Sequence, residues 1–205
     1  YFPKIFYFVD NFNKEELKVL NKKIALIYRN YKKTDLNEII KLRNFCKKNG
    51  KKLYLANNPY LAYKLRLNGA FISAFNRNLN INKFQNFKNF ELIGSAHNIK
   101  EINIKLKQGI KCIFIAPMFK TKKNKKFLDI YKFNQLKKNT KLKTIALGGI
   151  NERNITRVKL TESYGIASIS FIKNNTYYKH GHTFNKKTKR RVKALIPVHV
   201  SGNAV

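Results

Sequence analysis

The residues of this sequence best suited to chemistry recur at one kind of place, at or just past the end of a short apolar run. Arg29 follows IALIY, Asn57 and Asn58 follow KLYLA, and Ser95 and His97 close the run ELIGSAH. Thr121, Lys122, Lys123 and Lys125 follow KCIFIA, Gly148 and Gly149 follow KTIAL, and Ile169 and Ser170 end GIASIS. The set is rich in donors and cations and poor in acids. It lacks the pair of carboxylates that glycosidase-type hydrolysis needs. Backbone donors at a glycine turn, joined by lysines and an arginine, suit phosphate and pyrophosphate instead. The lysine-dense stretch FKTKKNKK after a core strand is expected to close over such a group. Each piece also has a plainer reading: Gly148–Gly149 as a tight turn, Arg29 as a solvated edge residue, the lysine run as an exposed loop. His97 is either a proton shuttle or the residue ahead of a helix capped by Asn98. The four histidines (97, 180, 182 and 199) show no metal-ligand spacing with cysteines or acids.

The elements that must position these residues alternate. Strand-like runs cover 4–10, 24–29, 52–56, 70–73, 90–96, 111–116, 143–149 and 165–170. Helical patterns lie between several of them. One begins at Thr34 or Asp35 and ends at Gly50; another has Pro59 in its first turn and Gly69 at its end. Others cover 98–108, 127–138 and 151–160. The runs are short and nearly all apolar, as buried parallel strands are. Eight βα-like repeats predict a (β/α)₈ TIM barrel, compact at about 170 residues; an open doubly wound sheet is the alternative. In a barrel these strand ends share one rim, which is where such folds place their active sites.

Composition sets the outer bounds. The 205 residues are 43 % hydrophobic, enough for a sizeable core, and no run approaches the roughly 18 apolar residues of a membrane span. The opening YFPKIFYFVD does not read as a signal peptide. Cys46 and Cys112, in a predicted helix and strand, read as reduced core thiols of a cytoplasmic protein. Lys and Arg total 44 against 10 Asp and Glu, a formal charge of +34 that attracts polyanions and phosphorylated ligands. Lysine is spread along the whole chain and arginine is scarce, so no specific nucleic-acid partner is expected. The sequence leaves the oligomeric state open.

From about Lys4 to Lys173 the sequence resembles the thiamine phosphate synthase family, through IGSAHNIKEI, IFIAPMFKTK, IALGGIN and GIASIS in order, with LIYRNYK as a variant second-strand motif. The resemblance implies a barrel enzyme with small phosphorylated substrates, assisted by Mg²⁺. It joins an aminopyrimidine diphosphate to thiazole phosphate, releasing pyrophosphate. It also implies roles by position. Arg29 is similar to the pyrophosphate-binding arginine, and Asn57 to the asparagine of a third-strand Asn-Asp pair. Ser95 matches the serine near the leaving pyrophosphate, and Thr121 a substrate-contacting threonine. Gly149, with Gly148 beside it, and Ile169 and Ser170 match the thiazole-phosphate site. Departures are equally plain. Ile27 and Tyr31 replace a Gln and a Lys around the arginine, and Asn58 stands where the family has its metal-binding Asp. AFISAFNRNLN holds no second acidic ligand, and Lys123 replaces a second threonine, leaving the family's loop lysine to Lys123 or Lys125. These losses weaken a magnesium site, and lysines are expected to replace part of its charge. The alternative function is a non-catalytic barrel that binds phosphorylated ligands. Pro117 stands where the related thiazole tautomerase carries a catalytic His.

Residues 174–205 do not continue the pattern with an amphipathic eighth helix. Residues 185–205 resemble a fragment of a PLP-dependent sugar aminotransferase without the lysine that would bind PLP, so no PLP chemistry is expected. The reading is thus a barrel domain over 1–173 and an atypical basic tail over 174–205, a fusion or truncated fragment. If the tail replaces the eighth helix, apolar surface on the first and last strands is left open.

Overall fold

The computed structural model describes residues 2–31, 35–121 and 125–174. The expectations for Thr34, Lys122 and Lys123, and for the tail from 175 onward, lie outside the described residues. The rest forms a closed ring of eight parallel strands in sequence order. They are β1 (Ile5–Val9), β2 (Ile24–Tyr28), β3 (Leu53–Ala56), β4 (Gly69–Ile72), β5 (Glu91–Ala96), β6 (Cys112–Ile115), β7 (Lys143–Leu147) and β8 (Gly165–Ala167). The last pairs with the first, Ile5 against Ile166 and Phe6 against Ala167, which rules out the open sheet.

Strand alternation sends successive side chains to opposite faces. Phe6, Phe8, Ala25, Ile27, Tyr54, Phe71, Ile93, Cys112, Phe114, Ile145 and Ala167 form one buried cluster. Its rings touch between strands that share no ladder: Phe6 lies 4.9 Å from Phe114, and Phe71 5.3 Å from Phe114. The cluster therefore fills the barrel. The intervening residues, such as Ile5, Tyr7 and Val9, join the larger core under the surrounding helices. At the amino-terminal end Glu91 accepts hydrogen bonds from the Tyr54 hydroxyl and, at 2.9 Å, from Lys52.

The connections depart from regular βα units. α1 (Lys14–Lys18) is five residues long, while α2 (Leu36–Lys48) is thirteen. The Asp35 carboxylate caps α2 by accepting from the N–H groups of Asn37 (2.9 Å) and Glu38 (3.3 Å), and Gly50 follows it at φ +60°. α3 (Pro59–Lys64) ends earlier than the sequence suggests. Arg66, at φ +53°, turns the chain, and Gly69 belongs to β4 rather than to the helix end. A Cβ on Gly69 would lie 1.9 Å from the Glu91 carbonyl oxygen, so strand contact explains the glycine. After β4 and β7 the connections are 3₁₀ helices, Leu79–Asn86 and Ile155–Leu160. The second replaces the helix expected over 151–160. α4 (Ile99–Lys107) and α5 (Asp129–Lys138) match their sequence patterns. α6 (Ser170–Asn174) buries Phe171 and Ile172 beside the β1–β8 seam, and its Lys173 reaches Glu16 of α1 at 3.3 Å.

Cys46 and Cys112 are buried free thiols, and burial pushes Cys46 up to about 12. Among the described residues no helix is long and apolar enough to cross a membrane.

Phe114 sits at the centre of the ring contacts inside the barrel. Phe114→Ala is expected to lower unfolding stability by about 3–5 kcal/mol, and Phe114→Leu by less. Urea unfolding of the full chain followed by far-UV circular dichroism measures both.

Candidate functional site

The carboxyl ends of the strands form one rim, and two groups of predicted residues sit on it. The first begins at Arg29, one residue past β2, whose N–H donates to the Val9 carbonyl at 2.8 Å. Its guanidinium carbon lies 4.1 Å from the Phe8 ring centroid and 5.5 Å from that of Tyr31. Ring faces hold a cation in place without neutralising it. Arg29 lines a cavity of about 350 Å³ together with Tyr7, Asp10, Glu16, Ile169 and Lys173, among others. Arg29 and Ile169, far apart in sequence, thus meet in one cavity. Burial, then the neighbouring Glu16, pushes the Tyr7 hydroxyl well above its ordinary range, so it stays protonated and donates to the Glu16 carboxylate. Asp10 follows β1 just as Arg29 follows β2, yet as the last residue of an apolar run it carries no mark of that place in the sequence.

Next to this corner Asn57 takes φ +57°, a left-handed conformation that asparagine tolerates. Its N–H donates to Phe71 O (2.8 Å), its Oδ1 accepts from the Ser73 N–H (2.9 Å), and its Nδ2 donates to Ser73 Oγ (3.0 Å). Ser73 Oγ is also 3.3 Å from the Tyr31 hydroxyl. The Ser73 carbonyl accepts from the ammonium of Lys105, a fully buried lysine on α4. Lys105 Nζ also donates to Asn76 O at 2.7 Å and Gln108 Oε1 at 2.9 Å. With all three N–H groups committed, Lys105 anchors the loop after β4. Desolvation lowers its pKa to about 8, with Glu101 opposing. Neither Lys105 nor Ser73 was singled out from sequence, because a lysine within a lysine-rich helix gives no sign of being buried.

The second group faces the β7 and β8 ends. Leu147 and Ala167 are register partners, so the turns that follow them lie side by side. Gly148 and Gly149 take φ +96° and +70°, and a Cβ on Gly149 would lie 2.4 Å from the Phe119 carbonyl oxygen. Both glycines are therefore required by backbone conformation and close approach. Ser168, absent from the sequence reading, donates to the Ile150 carbonyl at 3.0 Å and accepts the Phe171 N–H at 3.3 Å, which ties the two turns together. Ile169 and Ser170 follow it and are exposed. The lysine loop leaves from beside the glycines. Its neck is closed by Leu128 and Asp129 N–H groups donating to Pro117 O (2.9 Å) and Met118 O (3.0 Å). Arg157 holds both Asp129 oxygens at 2.9 Å. Thr121 at its start is half-buried and Lys125 is exposed.

The remaining predicted residues are placed as follows. Ser95 lies inside β5 rather than after it, 7 % exposed and paired in register with Phe114. His97 precedes α4, capped by Asn98, whose Oδ1 accepts from the Glu101 N–H at 2.9 Å. Its N–H donates to Glu101 Oε2 at 2.7 Å, and its Nδ1 donates to the Ala116 carbonyl at 2.6 Å, so it links β5 to β6. Asn58 caps α3 by accepting the Leu61 N–H at 3.0 Å. Among the described residues no three His, Cys, Asp or Glu side chains group as a metal site. A neutral amide already engaged as a helix cap is a poor ligand for a hard cation. At this third-strand position the chain therefore offers a hard cation no charged ligand.

Comparison with known proteins agrees with this layout. The family model for thiamine monophosphate synthase matches residues 13–172. The thiamine-phosphate synthase of Pelagibacter ubique is 30 % identical over 171 residues, 78 % of this chain and 80 % of that protein. That of Prochlorococcus marinus subsp. pastoris is 29 % identical over 163 residues, 76 % of this chain but 45 % of that protein. The chain thus spans under half the length of the second relative. Among solved structures, the thiamine phosphate pyrophosphorylase of Pyrococcus furiosus superposes with a TM-score of 0.69 at 16 % identity, covering 94 % of this chain and 95 % of that one. At that identity the likeness is one of fold.

Lys105 carries a pH signature. Its pKa is about 8 in the folded chain against 10.5 unfolded, so between these values the unfolded state holds the extra proton and stability rises with pH. Wild type is therefore expected to gain stability relative to Lys105→Met as pH climbs from about 8 towards 10.5. Parallel urea titrations across that range would show no such divergence if the ammonium were solvated.

Proposed function

The chain belongs to the thiamine monophosphate synthase family, and we propose that it joins an aminopyrimidine diphosphate to a thiazole phosphate. The reaction breaks the bond between the pyrimidine methylene carbon and the diphosphate oxygen, and the electron pair leaves with pyrophosphate. The lone pair of the thiazole nitrogen forms the new C–N bond. No proton need be abstracted, so positioning and charge stabilisation suffice. The observation that carries the reading is the rim itself. A cavity with Arg29 on one side reaches Ile169 on the other, beside the paired turns at Gly148–Gly149 and Ser168–Ser170.

In this reading Arg29 binds the diphosphate, held by ring faces rather than by a carboxylate. Lys123 and Lys125 bring further positive charge from the lysine loop. Ser95 faces the leaving group from β5, and Asn57 and Thr121 contact substrate. Gly149, Ile169 and Ser170 receive the phosphate of the thiazole through backbone N–H groups. Neutralisation of pyrophosphate falls to cations of the chain, and no step is assigned to a metal.

A second reading is favoured by one observation, the amide of Asn58 spent on capping α3. It makes the chain a barrel that binds phosphorylated ligands without turnover. Steady-state assay with both precursors separates the two: product formation supports the transferase, and ligand binding without product supports the second reading.

Arg29→Ala is expected to lower kcat/KM for the diphosphate substrate about 10- to 100-fold, the range for losing charge-assisted hydrogen bonds. Ser170→Asp should raise KM for the thiazole phosphate and leave pyrophosphate affinity within about twofold. Calorimetry with pyrophosphate should show affinity changing less than about threefold when Mg²⁺ is omitted. A strict Mg²⁺ requirement would overturn the assignment of neutralisation to Arg29 and the lysines.

A further inference from the structure

Two aromatic rings stand exposed together at the rim. Tyr31 is 63 % exposed and Phe75 68 % exposed. Among the described residues no other phenylalanine is as exposed; Phe127, at 42 %, comes next. Tyr31 follows β2 and Phe75 follows β4, strands that do not pair with each other. Both strands pair with β3, which brings the rings together at its end, at 6.1 Å between centroids and 57° between planes. They flank Asn57, which leaves the intervening strand β3.

The pair is held rather than loose. The Tyr31 hydroxyl meets Ser73 Oγ at 3.3 Å, Ser73 is bonded twice to Asn57, and the Ser73 carbonyl is fixed by Lys105. Arg29 sits 5.5 Å from the Tyr31 ring, so a cation for phosphate adjoins the ring faces. A ligand that meets both features has a flat, π-rich body and an anionic arm.

We propose that Tyr31 and Phe75 form a stacking platform for the planar heteroaromatic ring of the diphosphate substrate, with Arg29 beside it for the phosphates. The proposal rests on the transferase reading for the identity of the ring. A flat ring lies along one of the two tilted faces, with its edge towards the other ring, and excludes water from the face it covers. The gain comes from stacking, which tolerates ring substituents. The diphosphate arm sets direction, because the cation lies on one side of the platform.

The test uses the full chain and the hydroxymethyl aminopyrimidine alcohol, the ring without phosphate, titrated by calorimetry. Tyr31→Ala and Phe75→Ala are each expected to weaken it about tenfold, and Tyr31→Phe to stay within about threefold of wild type. Pyrophosphate affinity of Phe75→Ala should stay within about twofold of wild type. Both side chains are exposed, so far-UV circular dichroism should be unchanged in every variant. Absence of binding to wild type, or binding by both alanine variants as tight as that of wild type, overturns the platform. Turnover that persists alongside either result leaves the transferase reading standing without it. Ring-dependent binding of the alcohol with no product from the full precursors keeps the platform and removes the transferase reading.

Discussion

Closure of β8 onto β1 is the constraint on which the rest depends. The Ile166 N–H donates to the Lys4 carbonyl at 2.9 Å, and a Cβ on Gly165 would lie 2.0 Å from that same oxygen. The seam therefore closes only with a bare backbone at that point. Once it closes, no strand has an open edge, and parallel direction turns every carboxyl end to one rim. Arg29, Asn57, Ser95, Gly149 and Ser170 then share a rim although the chain separates them by up to 141 residues, from 29 to 170. The interior must also be filled, and Phe6, Phe8, Phe71 and Phe114 do so with edge-to-face contacts. Lys173 of α6 and Glu16 of α1 bridge the same seam from outside.

With 44 cations and 10 acids, each carboxylate is scarce, and the fold shows where they go. Asp35 caps α2; Glu38 accepts the Phe12 N–H and pairs with Lys41. Glu91 closes the barrel's amino-terminal end; Glu101 receives the His97 N–H. Asp129 holds Arg157, Glu162 holds Lys137 and Glu16 holds Tyr7. These seven are structural. The others are Asp10 and Glu152, in loops at the carboxyl ends of β1 and β7, and Glu15 on α1. Asp10 and Glu152 are thus the acids left to the loops of the rim among the described residues. The same imbalance makes the buried ammonium of Lys105 notable: carbonyl and amide oxygens, not a carboxylate, satisfy it.

The strands and the family were legible because apolar runs and turn residues are local signals. Gly148 and Gly149 announced a turn, and the structure adds why each must be glycine. Gly69 misled, because a glycine after a helical pattern signals a cap, whereas here it answers the approach of Glu91 on the next strand. Asn57 and Arg29 were legible as residues but not as partners. Ser73, Ser168 and Lys105 were not legible at all, since a serine or a lysine carries no mark of the element it will be packed against.

By itself the sequence determined the repeated βα order, the eight-strand count, the family and the strongly cationic character of the chain. These follow from composition, periodicity and motif order, all readable within short windows. The tertiary structure alone decided which residues meet: Arg29 with Ile169, Asn57 with Ser73, Tyr31 with Phe75. Each of these pairs joins different strand ends: register between neighbouring strands sets the distance in the last two, and closure of β8 onto β1 sets it in the first. No local pattern encodes that distance, because it results from the packing of all eight strands around one core.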